Sequence, residues 1–247
     1  MIPLLLLWAV APSAFDHAVP GMSADYIVLD VATKQVVASR WTDMNTPIPV
    51  GSLVKPFLAL AYDGPFPEFE CKGTANSCWR RRPHGRLGFI DALAESCNAY
   101  FLNLARHTDE EALRRVAAKY SIDPPHGMSP ETRIGLGEGW KISPLALTRA
   151  YAELASRSGE PAVRTILSGL GRSAVSGTSS AIGGGALAKT GTAPCAAKRG
   201  DAGDGFSLVL YPADGPRTAI LVRVHNVPGA LAAETSARIL NVVRSGK

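Results

Sequence analysis

Two side chains near residue 50 have the types and the spacing of a nucleophile and its base. Ser52 precedes Lys55 by three residues, and an apolar pattern that continues to Tyr62 predicts a mostly buried helix. Side chains three residues apart on a helix emerge from the same face. A lysine that has lost its water through burial can take a proton from a serine hydroxyl. The alternative is an N-cap serine beside a lysine that extends into solvent, and on this tetrapeptide alone that is the commoner situation.

A second polar segment lies between two apolar stretches that are predicted to be helical. Ser96 and Asn98 flank Cys97 there, and a polar break of this kind is expected to face a cleft. A hydroxyl in a cleft can relay a proton to a leaving amine, and an amide can orient a lysine. The alternative is that the segment simply caps the helix that begins near Ala99.

A third motif, Lys189-Thr190-Gly191-Thr192, falls on a predicted strand near the C-terminus. Strand alternation places Lys189 and Gly191 on one face and the two threonines on the other. A glycine lets a substrate backbone approach and pair along the strand, and the lysine and the threonine hydroxyls suit a terminal carboxylate. The alternative is an ordinary exposed edge strand with a protective lysine.

The elements that must position these motifs predict an α+β fold. Strands are predicted at residues 26–31, 35–39, 186–193, 205–211 and 218–225. Helices are predicted at residues 52–62, 89–95, 100–107, 109–120, 144–156 and 230–243. Between Ser158 and the last helix, we expect strands and turns. The prediction is one central antiparallel sheet built from both chain ends, flanked by helices, with an all-helical lobe inserted between.

The cysteines allow more than one arrangement. Cys71 and Cys78 close a short loop, which suits a local disulfide in an oxidising compartment. A metal site that uses both of them with His84 is an alternative for which the sequence shows no fourth ligand. Cys97 and Cys195 lie within or beside the motifs and are expected to be free, packed thiols. We therefore predict neither a metal nor a cofactor.

The composition is that of one globular domain. The 247 residues are 46% apolar and 19% charged, which allows one substantial core and argues against disorder. The net charge of +5 is densest at Arg80-Arg81-Arg82. No basic helix or aromatic stacking motif accompanies that run, so we expect no nucleic-acid partner. An anionic cell-wall polymer or membrane surface is compatible with the charge.

The N-terminus has the pattern of an export signal. An apolar stretch at residues 2–10 is followed by Pro12-Ser13-Ala14, small residues where a signal peptidase can cleave. The stretch is too short to span a bilayer comfortably. The alternative is a buried N-terminal strand or helix. We expect an exported protein, periplasmic or extracellular, with membrane association left open.

In their order and spacing, the three motifs resemble those of the penicillin-recognising serine acyl-transferases, which include penicillin-binding proteins and serine β-lactamases. The resemblance covers roughly residues 25–243 and is strongest to the monofunctional, class B penicillin-binding transpeptidases. The further segments that resemble that class are Gly51, Pro56, Cys78-Trp79, His84-Gly85, 92–101, Gly137, 143–147, Gly169-Leu170, Val175, Gly177-Thr178 and Tyr211-Pro212-Ala213. It implies a β-lactamase/transpeptidase-like domain at residues 20–247, after a signal peptide or apolar segment at residues 1–14.

The resemblance implies a catalytic role for each motif residue. Ser52 would be the acylated nucleophile and Lys55 its general base. Ser96 would pass the proton to the leaving D-alanine, and Asn98 would orient Lys55 and the peptide. Lys189 would tune Ser96 electrostatically.

The same resemblance implies a substrate-binding strand. Thr190, Gly191 and Thr192 would bind the substrate, with the two hydroxyls on its carboxylate. Backbone N–H groups of Ser52 and Thr192 would form the oxyanion hole.

The implied activity is that of a D,D-transpeptidase or D,D-carboxypeptidase. It would act on D-Ala-D-Ala peptidoglycan stem peptides through an acyl-Ser52 intermediate and bind β-lactam antibiotics covalently. The pedestal domain of the relatives has no counterpart in this sequence, so a partner protein that supplies one is a further expectation. One alternative is a serine β-lactamase, for which Glu131 and Glu138 lie in the relevant stretch without the expected surrounding pattern. Another is a non-catalytic β-lactam-sensing or cell-wall-binding module, although no catalytic side chain is missing.

Overall fold

The computed structural model of the protein describes residues 12–21, 23–194 and 203–246. Its strands are β1 (Ala24–Asp30), β2 (Val36–Arg40), β3 (Ile48–Pro49), β4 (Phe69–Cys71), β5 (Gly85–Leu87), β6 (Lys141–Ile142), β7 (Leu187–Ala193), β8 (Asp204–Tyr211) and β9 (Thr218–Val224). Five of them form one sheet in the order β2-β1-β9-β8-β7, and every neighbouring pair is antiparallel. The predicted sheet assembled from both chain ends is therefore confirmed, and β7 is one of its edges.

Helices cover the sheet and fill the middle of the chain. They are α1 (Pro12–Ala18), α2 (Lys55–Ala61), α3 (Phe89–Ala94), α4 (Asn98–Arg106), α5 (Glu110–Lys119), α6 (Pro130–Arg133), α7 (Pro144–Ser156), α8 (Pro161–Ser176) and α9 (Gly229–Ser245). Helix α7 begins and ends where the sequence predicted, because the Ser143 side chain caps its N-terminus and Pro144 follows at the first helical position.

The inserted lobe is not all-helical, so that part of the prediction is wrong. Two short ribbons lie within it, β3 paired with β6 and β4 paired with β5. The β4–β5 ribbon lies between residues 63 and 88, where no strand or helix was predicted. Strands of two or three residues bury too little apolar surface to leave a periodic pattern in a sequence.

Residues 161–176 form helix α8, where strands and turns were predicted. Glycines and serines within this segment lower its intrinsic helix propensity. Its buried side chains nevertheless recur at helical spacing at Val163, Ile166, Leu167 and Leu170, and the helix packs against α3 and β7. At Gly169 an added Cβ would lie 2.7 Å from a methyl carbon of Leu93 in α3. The packing of α8 between α3 and the sheet thus overrides the local propensity.

Apolar side chains pack on both faces of the sheet. One cluster joins the sheet to the helical lobe, and a second joins its other face to α1 and α9. Phe15 of α1 is fully buried in the second cluster. The predicted cleavage point after Ala14 therefore lies within a packed helix, whereas residues 1–11 of the predicted signal lie outside the described residues. Among the described helices, none combines the length and the apolar character that crossing a membrane requires.

Candidate active site

Ser52 lies in a 3-10 turn, Gly51–Val54, that leads directly into α2. The residue that caps this turn is Val50, and no side chain caps it. Ser52 is therefore not an N-cap serine. Its side chain is half-buried and makes no hydrogen bond with any residue in the described part of the chain, so its oxygen is free to react.

Glycines allow the backbone to pass close to the turn that carries Ser52. Gly51 has a φ of +60°, and a Cβ added there would lie 2.4 Å from the carbonyl oxygen of Thr192 on β7. Gly135 also approaches this turn, and its added Cβ would lie 2.0 Å from the Gly51 oxygen. The turn is thus in close contact with both β7 and the segment after α6.

We expect Gly135→Ala to lower the free energy of unfolding by about 3–5 kcal/mol, because the new Cβ collides with backbone as well as straining a φ of +84°. Gly137→Ala is the matched control, since its φ is +73° but nothing lies within 4 Å of the new Cβ. That control should lose only about 1–2 kcal/mol from the left-handed conformation. Urea unfolding of both variants measures the difference, and equal losses would contradict the close-packing explanation.

Lys55 is the first residue of α2 and is fully buried. Its Nζ donates to the Ser96 carbonyl oxygen at 2.8 Å, to Asn98 Oδ1 at 2.7 Å and to Ser96 Oγ at 3.3 Å. The ammonium also lies 5.2 Å from the centre of the Phe101 ring. The lysine does not extend into solvent, so the common alternative for this tetrapeptide is wrong.

Lys189 on β7 is also fully buried and contacts the same Ser96 hydroxyl. Its Nζ donates to Ser96 Oγ at 2.7 Å and to the Thr190 carbonyl oxygen at 2.8 Å. It is therefore not a protective lysine on an exposed strand. Ser96 Oγ lies between the two amines, on a residue with a φ of +51° that is unusual for a non-glycine residue.

Burial changes the acidity of both lysines. Removal from water lowers the pKa of Lys55 to about 7. Removal from water also lowers the pKa of Lys189 well below its usual value, and the nearby charge of Lys55 adds to the effect. An amine with a pKa near 7 is a competent proton acceptor at neutral pH.

The side chains of β7 alternate as predicted, but their neighbours differ from the prediction. Gly191 faces the Ser52 turn, where an added Cβ would lie 2.6 Å from the Val50 carbonyl oxygen. Its absent side chain therefore lets the Ser52 turn approach the strand, a role that the sequence did not suggest. Thr190 Oγ1 donates to Thr178 Oγ1 at 2.6 Å, and the exposed Thr192 accepts at its Oγ1 from the Gly229 N–H at 3.0 Å.

Several supporting residues were not assigned a role from the sequence. Phe101 lies beside the Lys55 ammonium, and Tyr151 donates from its hydroxyl to the Leu53 carbonyl oxygen at 2.8 Å. Thr178 contacts Thr190, and its position directly after Gly177 in a segment that resembles the transpeptidases was the only available signal. The other contacts join residues about 50 and 100 positions apart, which no local pattern reveals.

The structure also bears on the predictions for the cysteines and for two glutamates. Cys71 and Cys78 are free rather than joined in a disulfide, and Cys97 is free and buried as predicted. Cys195 lies outside the described residues. Glu131 and Glu138, considered for a β-lactamase, are both exposed to solvent.

The comparison with protein families identifies the architecture. The family described as "Penicillin binding protein transpeptidase domain" matches residues 26–243, which is most of the chain and includes all three motifs. The chain belongs to the penicillin-binding protein transpeptidase family. No curated protein sequence matches this transpeptidase domain significantly.

Solved structures share the fold of this transpeptidase domain at low sequence identity. PBP2 of Pseudomonas aeruginosa, in complex with WCK 5153, superposes with a TM-score of 0.78 at 17% identity, over 93% of this chain and 76% of that one. PBPA of Mycobacterium tuberculosis superposes with a TM-score of 0.77 at 16% sequence identity, over 94% of this chain and 78% of that one. The transpeptidase domain of the FtsI4 D,D-transpeptidase of Legionella pneumophila has a TM-score of 0.71 at 18% identity, over 98% of this chain and 97% of that one. These similarities establish the predicted α+β fold.

Proposed function

We propose that this domain is a D,D-transpeptidase or D,D-carboxypeptidase that forms an acyl-enzyme on Ser52. Its substrates are D-Ala-D-Ala peptidoglycan stem peptides, and β-lactams acylate the same serine. The observation that carries the proposal is the convergence of two buried amines on Ser96 Oγ, at 3.3 Å from Lys55 and 2.7 Å from Lys189. Burying two amines is costly, and a chain with only a structural role would gain nothing from it.

The first half-reaction assigns the proton of Ser52 to Lys55, whose Nζ hydrogen bonds in this structure go to Ser96 and Asn98. Neutral Lys55 removes the proton from the Ser52 hydroxyl, and the oxygen attacks the carbonyl carbon of the penultimate D-alanine. Negative charge on the carbonyl oxygen is stabilised by the backbone N–H groups of Ser52 and Thr192. The close approach of the Gly51 and Thr192 backbones, where an added Cβ would be 2.8 Å from the Thr192 nitrogen, supports that pairing.

Collapse of the tetrahedral intermediate needs a proton on the leaving amine. Ser96 Oγ delivers it to the departing D-alanine and is resupplied from Lys55, while Lys189 stabilises the transient charge on that oxygen. Asn98 accepts a hydrogen bond from Lys55 and so fixes the amine. The acyl-Ser52 ester is then attacked by an acceptor amine in the transpeptidase reaction, or by water in the carboxypeptidase reaction.

Time-resolved labelling with a fluorescent penicillin tests the proposal. The expected result is a stoichiometric adduct on the purified protein that persists for many minutes after excess label is removed. Rapid turnover of the label would instead indicate a β-lactamase, and the absence of any adduct a non-catalytic binding module. Either result would overturn the proposed function.

We expect Thr190→Val to slow acylation by a penicillin about 10- to 150-fold, because a hydrogen bond to a charged carboxylate contributes about 1.5–3 kcal/mol. The fold should be affected less, since Thr178 keeps its contact with the Ala94 carbonyl oxygen at 3.3 Å. Thr165→Val on α8 is the matched control and should acylate at the wild-type rate. Stopped-flow acylation rates and thermal unfolding compare the two effects, and an unchanged acylation rate in Thr190→Val would refute the carboxylate role.

Membership of the family supports a proposal about the cellular setting. We propose that residues 1–14 direct export, that residues 20–247 are the catalytic domain, and that it acts in the periplasm or outside the cell, with membrane association open. PBP2 of Helicobacter pylori has been solved in complex with MreC, and this chain spans 62% of that relative's length. By analogy, we propose that this domain also acts with a partner protein.

A further inference from the structure

Four potential metal ligands converge beside the catalytic residues without taking part in the proposed reaction. They are Cys71, Cys78, Cys97 and His84, and their ligand atoms all lie within 4.8 Å of one another. The three cysteines are buried, and the side chain of His84 is only 2% exposed. The sequence had suggested three of these residues as a set. The fold supplies the fourth, Cys97, from a helix boundary 19 residues after Cys78.

The distances between the ligand atoms match those of a tetrahedral metal site. The sulfurs of Cys78 and Cys97 are 3.8 Å apart, and His84 Nδ1 lies 3.3 Å from the Cys71 sulfur and 3.6 Å from the Cys78 sulfur. A zinc ion with Zn–S of about 2.3 Å and Zn–N of about 2.0–2.1 Å has S···S edges of roughly 3.8 Å and S···N edges of roughly 3.5 Å. The observed atoms therefore surround a space of the right size.

The surroundings of His84 fit a ligand whose other ring nitrogen is oriented by a carboxylate. Nδ1 faces the sulfurs, whereas Nε2 is buried without a hydrogen bond and lies 3.7 Å from Glu95 Oε2. Histidines that bind metals commonly donate the second N–H to such a carboxylate. A cavity of about 210 Å³, lined in part by Arg80, His84 and Glu95, lies on that side of the ring.

Backbone donors are directed at the sulfurs, as expected for thiolates. The N–H groups of Arg80, Asn98 and Ala99 face the Cys78 sulfur, and that of Tyr100 faces the Cys97 sulfur. Three of these four donors belong to the first turn of α4, whose N-terminus favours negative charge. Such donors can stabilise a negatively charged sulfur at Cys78 and Cys97.

We propose that Cys71, Cys78, Cys97 and His84 bind one zinc ion. A sulfur-rich tetrahedral set with one imidazole selects zinc over the hard cations, which prefer oxygen ligands. All four positions are filled by protein, so the site is structural and activates no water.

The position of Cys97 gives the zinc ion a consequence for the active site. Cys97 stands between Ser96 and Asn98, the two residues that hold Lys55, while Cys71 and His84 belong to the β4–β5 ribbon and its loop. The metal therefore fastens that ribbon to the segment that carries the proton relay. This consequence rests on the proposed function, whereas the metal site itself does not.

Metal analysis of the full chain, purified without chelator from zinc-supplemented medium, tests the site. We expect one zinc per chain by mass spectrometry, lost in Cys71→Ser and retained in Cys195→Ser, which makes the same chemical change at the cysteine outside the set. Zinc well below one per chain in the wild-type protein, iron in its place, or equal zinc in both variants would overturn the proposal.

Cobalt substitution of the wild-type protein gives a second readout that does not depend on how well a variant folds. A tetrahedral thiolate site should show intense visible bands and thiolate-to-cobalt charge transfer, and weak octahedral spectra would refute it. Neither measurement involves acylation. Failure of the zinc site and failure of penicillin labelling are therefore separate results.

Discussion

Ser52→Ala should abolish covalent labelling by penicillin while leaving the protein folded. Ser52 carries the one hydroxyl of the turn, Gly51–Val54, that β7 contacts, and in the proposed reaction it forms the ester. Removing the nucleophile of a serine hydrolase costs on the order of 10⁶ in rate. Because Ser52 is half-buried and makes no hydrogen bond within the described residues, its truncation should change the free energy of unfolding by less than about 1 kcal/mol.

Intact-protein mass spectrometry after incubation with a penicillin measures this effect directly. The control is Ser168→Ala, which removes an exposed hydroxyl on α8 and should label fully. An adduct of the penicillin mass on the Ser52→Ala protein would remove Ser52 as the nucleophile. Peptide mapping of the labelled wild-type protein should place the adduct on the tryptic peptide that contains Ser52.

The second large effect is expected at Lys55, and it has a pH signature. Burial lowers the pKa of Lys55 to about 7, and only the neutral amine can accept the serine proton. The acylation rate of the wild-type protein should therefore rise as the pH rises through about 7, and fall about tenfold per pH unit below it. Lys55→Met should lower the rate by on the order of 10²–10⁴ and remove that rise.

The acylation rate constant measured from pH 5 to pH 9 checks both statements. Lys119→Met, at an exposed position on α5, is the control and should keep the wild-type profile. A wild-type rate that stays flat across neutral pH, or that rises only near the ordinary lysine pKa, would exclude Lys55 as the base. Lys55→Met also removes the buried donor of Asn98 Oδ1 and of the Ser96 carbonyl oxygen, which could destabilise the protein. Circular dichroism of this variant therefore shows whether a lower rate reflects loss of the base or loss of the fold.

The amino-acid sequence by itself determined the motifs, their order and most of the regular elements. Helix α7 and the strands of the central sheet were readable because their apolar periodicity, proline and turn residues act locally. The same information failed at α8, where glycines and serines reduce local propensity and contacts with α3 and β7 decide the conformation. It also failed at the short ribbons, which are too small to leave a pattern.

The tertiary structure decided how the motif residues are used. That Lys55 and Lys189 are buried and meet at Ser96 Oγ depends on α2, β7 and the α3–α4 boundary packing together, which are separated by tens of residues in the chain. The same packing gave Gly191 its contact with the Ser52 turn and brought Cys97 to Cys71, Cys78 and His84. Residue type and spacing define what chemistry is available, but burial and distance depend on long-range contacts. Those contacts are fixed only when the whole core is assembled.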